Sequence, residues 1–510
     1  MFAAAHSATI LGAEGSRVIV EVHVGSGLPG FTLVGLPDEV CREARDRVRA
    51  AVHSSRLPWP DTRITVNLAP SQQRKTGSVL DLAIAVAVLA ASGRLPVESL
   101  AGRGFLGELG LDGSIRPLAG IAPMSAVLSD LECVVPARSR AEAIVGTGAP
   151  VRAVDDLAQV VAALCGEAPW PEIEPSPDPP AAVHAVDLSD VRGQPVARRA
   201  LEISAAGHHH LLVIGPPGAG KTMLAERLVT LLPELDRATA LATTMIHSAA
   251  GVGLPAGGMI SSPPFRAPHH TSSAVALVGG GSQTLRPGEI SLAHGGVLFL
   301  DELGEFPVSV LDALRQPLES GVIHVARSHV HAEVPARFLL VAATNPCPCG
   351  GGAPGSCECD ETRRLRYVRR FSGPLLDRFD LRIAVDRPRV DDLVDTGATT
   401  STETSVEVAE RVRMVRELAM ERQGVLNGEL HGALLDRFAP LAAEASGFLR
   451  SLLERDRLSG RGYHRVRRVA RTLADLDGVG TMIGTEHVAT AVAMRAELGV
   501  RMPPAGVSGG

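Results

Sequence analysis

Apolar positions change their spacing twice along the chain. Up to about residue 165, short alternating runs such as Arg17–Val24 and Arg63–Asn67 predict strands, and the nearly unbroken run Val79–Ala91 predicts a buried helix. Between about 187 and 389 the runs are short and unalternating, at Leu211–Ile214, Val297–Leu300 and Phe338–Ala342. Strands covered on both faces read this way, so a parallel sheet sandwiched by helices is expected. From 406 to about 497 the spacing turns helical, as in Val408, Val412, Val415 and Leu418. No internal repeat is evident.

Polar stretches separate these regions. Residues 166–186 hold six prolines among acidic residues and predict a stiff, solvated linker. Residues 390–405, rich in Asp and Thr, predict a connector, and 498–510 a flexible Pro/Gly/Ser-rich tail. The expected layout is therefore an N-terminal domain (1–165), an α/β core (187–389) and a helical lid (406–497).

At 510 residues the chain has room for roughly three domains. A net charge of −6 argues against a protein that coats DNA in bulk, so any nucleic-acid contact must be local. The N-terminus lacks the pattern of a secretory leader, and the longest apolar run is too short to span a bilayer and contains Asp81. A cytoplasmic protein without membrane contact is expected. Of 50 basic residues only Lys75 and Lys221 are lysines, so each lysine invites a physical explanation.

Lys221 has one. The strand before it runs into Gly215, Pro216, Pro217, Gly218, Ala219, Gly220, Lys221 and Thr222, a G-x-x-x-x-G-K-T loop with a helix after it. Such a loop wraps backbone N–H groups around phosphates, places the ammonium on the β/γ-phosphates and offers the Thr222 hydroxyl to Mg²⁺. ATP and Mg²⁺ are the implied cofactors. The apolar strand Val297–Leu300 ends in Asp301 and Glu302. Asp301 suits the Mg²⁺-associated Walker B acid and Glu302 the base that polarises the attacking water. Asn345, ending the next strand, suits the sensor 1 role. Arg378, after a short helix, suits an arginine finger entering a neighbouring subunit's site, with a salt bridge to Asp377 or Asp380 as the plainer reading.

Cys347, Cys349, Cys357 and Cys359 lie within 13 residues and form a candidate zinc site, in a C-x-C spacing tighter than the usual C-x-x-C. A metal-free or redox-sensitive loop is the alternative. Five arginines between 363 and 370 follow and would suit phosphate contacts.

These motifs resemble the magnesium-chelatase-like AAA+ ATPases, specifically the ComM (YifB) family of competence and recombination proteins. The resemblance covers nearly the whole chain and is most specific at Gly30–Pro37, Arg63–Pro70, Pro264–Thr271, Arg286–Glu302 and Thr344–Gly350. It implies a P-loop AAA+ core with helical lid behind a Lon-protease-like α+β domain. It also implies a homo-oligomeric ring, a hexamer by similarity, that drives branch migration or helicase-type remodelling of single-stranded or branched DNA beside recombination proteins.

It further implies pore elements at roughly Gly251–Gly281 and Val322–Val334, making Arg266, His269, His270, Arg327 and His329 candidate DNA contacts. Arg461 best matches the sensor 2 arginine, with Arg465 second. In the N-terminal domain, the Lon-type serine position falls at Val79 beside Ser78, and the lysine position in Ala119–Ala122 holds no lysine. A binding or assembly module is therefore expected, in which Lys75 and Arg74 are candidate nucleic-acid contacts. The competing readings are a protein unfoldase and a chelatase-type remodeller. Aromatic residues are only 3% of the chain and absent near Gly279–Gly281, which counts against an unfoldase's aromatic grip.

Overall fold

The computed structural model describes residues 1–72, 74–172, 186–280, 285–327, 330–351, 357–371, 373–388 and 403–496. Most of the expected linker, connector and tail lies outside these residues, as do Gly281, His329 and the side chain of Arg327.

The N-terminal unit is a seven-stranded mixed sheet in the order Gly30–Val34, Arg63–Ala69, Glu14–Gly25, Phe2–Leu11, Arg103–Phe105, Glu132–Pro136, Arg152–Val154. The apolar run predicted as a helix is one, over Asp81–Ala91, with all eleven residues buried. A helix apolar on every side can only sit inside. The carboxylate of its one charged residue, Asp81, receives two hydrogen bonds from Arg47, at 2.7 and 3.0 Å, so the buried charge has a partner. Trp170 packs on this unit, with the guanidinium groups of Arg103 and Arg152 5.8 and 6.0 Å from its ring.

The core sheet is five-stranded and parallel: Phe265–Arg266, Val297–Leu300, Leu339–Thr344, Leu211–Ile214, Leu381–Ala384. Strand residues divide strictly by parity. Leu211, Val213, Phe299 and Val341 join one apolar cluster, while Leu212, Ile214, Leu300 and Ala342 join another on the opposite face. Two cores on one sheet explain why these runs do not alternate. The first cluster continues into the lid helices Ser405–Gln423, Gly460–Leu476 and Thr485–Ala493. Along Ser405–Gln423 the residues Val408, Val412 and Val415 face inward as expected, but Leu418 is exposed and Ala419 takes its place.

A seam joins the N-terminal unit to the core. Ser248, on the helix Arg237–Ala250, donates to Glu142 at 2.5 Å, and the Ala122 N–H lies 3.2 Å from both Ser248 Oγ and Glu142 Oε1. Ala13, Ile246, Ala249, Leu292 and Val334 form an apolar cluster beside it. A side chain on Gly258 would come within 2.6 Å of the Ala141 backbone, so the two surfaces touch closely. No helix among the described residues is long and apolar enough to cross a membrane.

Candidate nucleotide site

Parallel register puts the chemistry at one edge. Ile214 pairs with Thr344 and Leu300 with Ala342, so Gly215, Asp301 and Asn345 emerge together at the carboxyl ends of three adjacent strands. Gly218 and Gly220 have φ of +80° and +78°, a region glycine enters freely and other residues rarely do. The helix Lys221–Leu228 starts immediately after them.

Lys221 is half-buried. Its ammonium donates to Gly215 O (2.8 Å), Pro216 O (3.1 Å) and Asn345 Oδ1 (3.0 Å). Burial lowers its pKa, and Asp301 and Glu302 oppose that shift. Thr222 Oγ1 donates to Asp301 Oδ2 at 2.7 Å. A hydroxyl and a carboxylate this close are the hard oxygen donors Mg²⁺ takes, and Lys221, now donating to carbonyl oxygens, is placed to donate to phosphate oxygens instead. The residues therefore fit ATP and Mg²⁺: Lys221 and the loop amides would hold the phosphates, Thr222 and Asp301 the metal. Lys221→Ala is expected to weaken nucleotide binding by about 10²-fold or more, read by titration with a fluorescent ATP analogue.

Glu302 is in a left-handed backbone conformation, φ +51° and ψ +48°, which costs roughly 1 kcal/mol or more for a non-glycine residue. Its N–H donates to Asp301 Oδ1 at 2.8 Å, and its carbonyl accepts from Glu305 N–H at 2.7 Å, which holds the turn. The carboxylate faces a cleft of about 290 Å³ that Thr222, Phe265, Pro268 and Asp301 also line.

Three supports of this site were invisible in the sequence. Gln194 Nε2 donates to Ala219 O at 2.9 Å and Arg387 Nε to Pro217 O at 3.0 Å, bracing the loop. Tyr367 OH bonds Asn345 O at 3.2 Å and Thr344 Oγ1 at 2.8 Å, bracing the sensor strand. No local motif marks them, because each acts across long sequence separation.

The candidate arginines are gathered elsewhere. Arg378, largely buried, pairs with Glu319 and donates to Pro374 O at 3.3 Å. Its salt-bridge partner is thus Glu319 rather than Asp377 or Asp380. Burial, and then the guanidinium groups of Arg465, Arg461 and Arg315, lower its pKa. Arg465 is committed to Asp380 Oδ1 at 2.7 Å, within a buried group that includes His209. Arg461 is exposed, its nearest acid Asp377 at 3.5 Å. Of the two sensor 2 candidates, Arg461 is the one left accessible.

Several expected contacts lie inward. Arg266 is clamped by Glu289 through two bonds of 2.7 Å, and His270 Nδ1 lies 3.3 Å from Glu302 Oε2. Lys75 is fully buried, donating to Pro70 O, so it is no surface contact, whereas Arg74 is exposed. Ser78 bonds Glu108, and Val79 is buried.

The four cysteine sulfurs lie within 4.8 Å of one another, with Cys347 3.3 Å from Cys349 and 3.6 Å from Cys357. A tetrahedral zinc site with bonds of about 2.3 Å spaces its sulfurs about 3.8 Å apart, so the cluster is compatible with zinc after shifts of up to about 1 Å. Burial acts to raise the Cys349 and Cys357 thiols, yet hydrogen bonds, including Gly351 N–H to Cys349 and Arg364 to Cys357, bring both down. Lowered thiols favour the thiolate that binds metal.

The sheet order, loop and paired acids define a P-loop ATPase of the AAA+ class. Family comparisons narrow this. The magnesium chelatase, subunit ChlI, family matches residues 187–393, a second family described as subunit ChlI of Mg-chelatase matches 20–138, and the subunit ChlI C-terminal family matches 402–495. Competence protein ComM of Haemophilus influenzae is 43% identical over 96% of this chain and 97% of its own length. YifB of Escherichia coli is 42% identical over 96% of both chains, and an uncharacterized protein of Mycobacterium tuberculosis is 46% identical over 96% of this chain and 98% of its own. The chain belongs to the magnesium-chelatase-like ComM/YifB family.

Proposed function

We propose that the protein is an ATP-driven ring motor, a hexamer, that remodels single-stranded or branched DNA in the cytoplasm during recombination. The observation that carries this reading is the assembled set Lys221, Thr222, Asp301 and Asn345, with the arginine group around Arg378 set apart from it. The candidate finger Arg378 is bonded to Glu319 and Pro374 and to none of these groups, which suits a site completed by a neighbour in a ring. Similarity to a competence protein favours DNA as the substrate. The test is the ATPase rate of the assembled protein with single-stranded DNA, branched DNA, casein, or a porphyrin chelatase partner. DNA should stimulate most; stimulation by casein alone would overturn the reading.

Zinc in the four-cysteine knuckle is part of this proposal, as a brace that presents the arginines of Glu361–Val368 and the turn after it. Elemental analysis should find one zinc per chain, lost in a Cys347→Ser, Cys357→Ser double variant. Zinc-free protein from a zinc-replete preparation would remove the metal from the account.

A further inference from the structure

The four-cysteine knuckle is stitched to the nucleotide site from both sides. Cys347 lies two residues beyond Asn345, and Cys359 one residue before Asp360, whose carboxylate caps the helix Glu361–Val368 by accepting the Arg363 N–H at 2.6 Å. Both of these cysteines are buried. From that helix Tyr367 reaches back to the sensor strand. Its hydroxyl donates to Asn345 O at 3.2 Å and lies 2.8 Å from Thr344 Oγ1, and Phe371 meets its ring edge-on at 5.3 Å. The same ring covers Gly304, in the turn that follows Glu302: a side chain on Gly304 would come within 2.8 Å of it. On the other side Gly350, its N–H donating to Cys347 O at 3.0 Å, faces the phosphate loop, where a side chain on it would come within 2.8 Å of the Pro217 ring.

Strand end, knuckle and helix therefore form a loop that Tyr367 closes at one point and the cysteines at another. Zinc held by the four thiolates would tie the strand end to the helix start, and metal-binding energy of this kind goes into the geometry of the loop it closes. We propose that the knuckle is a structural part of the ATPase site, with Tyr367 as the positioning residue through which zinc at Cys347, Cys349, Cys357 and Cys359 sets Asn345 and the turn after Glu302. Without the tie, the helix is free to swing about its Asp360 cap, and the Tyr367 hydroxyl leaves Asn345 O. Asn345 and the Glu302 turn lose their common brace, which slows hydrolysis. Loss of the packing between Gly350 and Pro217 loosens the phosphate loop, which weakens binding. This dependence rests on the zinc reading above; the brace by Tyr367 does not.

The experiment strips zinc from the assembled protein with a zinc-selective chelator under reducing conditions and checks folding by circular dichroism. Turnover of Mg-ATP and fluorescent-nucleotide affinity are measured before stripping, after it, and after zinc is returned, for wild type and Tyr367→Phe. In wild type, stripping should slow turnover about 10- to 100-fold and weaken nucleotide binding about 3-fold, both reversed by zinc. Loaded Tyr367→Phe should keep its zinc and its nucleotide affinity but lose about 3- to 10-fold in turnover. Stripping this variant should cost about 3- to 10-fold less than stripping wild type, because the two losses share one path. Losses that simply multiply overturn the role of Tyr367. If stripping unfolds the chain, the loaded Tyr367→Phe rate decides, and a rate equal to wild type overturns that role. Protein in which elemental analysis finds no zinc sinks the zinc reading and the proposal together. Protein that holds zinc and turns over equally well without it sinks the proposal alone.

Discussion

Glu302→Gln should bind ATP with undiminished affinity and hydrolyse it about 10²- to 10⁴-fold more slowly. The amide keeps the size and much of the hydrogen bonding of the carboxylate but cannot accept a proton from water. Lys221 is held by Asn345 at 3.0 Å and Thr222 by Asp301 at 2.7 Å, and neither bond involves the Glu302 side chain. Binding should therefore survive. The loss amounts to about 3–5 kcal/mol of transition-state stabilisation, too large to come from losing a part-exposed contact with His270. Single-turnover hydrolysis beside nucleotide titration separates the two effects. A variant that hydrolyses within a few-fold of wild type would show that another group activates the water.

Arg378→Ala should cost more, about 10³- to 10⁵-fold in turnover, again with ATP still bound. The competing role is structural. Arg378 is paired with Glu319, and a lone ion pair of this kind is worth about 1 kcal/mol at most when one partner is exposed. The surroundings favour the first role. Arg315, Arg461 and Arg465 raise the local positive potential, and Arg378 Nε has no hydrogen-bond partner among the described residues. Mixed rings separate the alternatives. Arg378→Ala subunits assembled with Lys221→Ala subunits, which lack nucleotide but keep the arginine, should regain hydrolysis. A structural defect would show no rescue and a lowered melting temperature.

Much of this was legible because local rules and tertiary needs agree. The glycines at 218 and 220 announce a left-handed loop, and a buried apolar strand that ends in Asp301 and Glu302 announces acids with a task. The unalternating runs foretold a sheet with a core on each face, and the core clusters have that form. What stayed hidden was partner choice. Arg378 has two acids within two residues, yet its partner Glu319 is 59 residues away, and Arg266 looked like an outward cation until Glu289 folded onto it. Side-chain pairing across a fold depends on which loops meet, and residue spacing along one segment does not carry that information. The misplaced Leu418 has a simpler cause: after Val415, spacings of three and four residues are both helical, and packing selected Ala419.

The seam through Glu142 and Ser248 has a mechanical consequence. The helix Arg237–Ala250 lies with its last turn against the first domain, and a Cβ added to the residue after it, Gly251, would come within 3.2 Å of Ala119. A tilt of that helix during ATP turnover would press on the first domain at Glu142 and Ala122. The first third of the chain is thereby coupled to the engine through packed side chains.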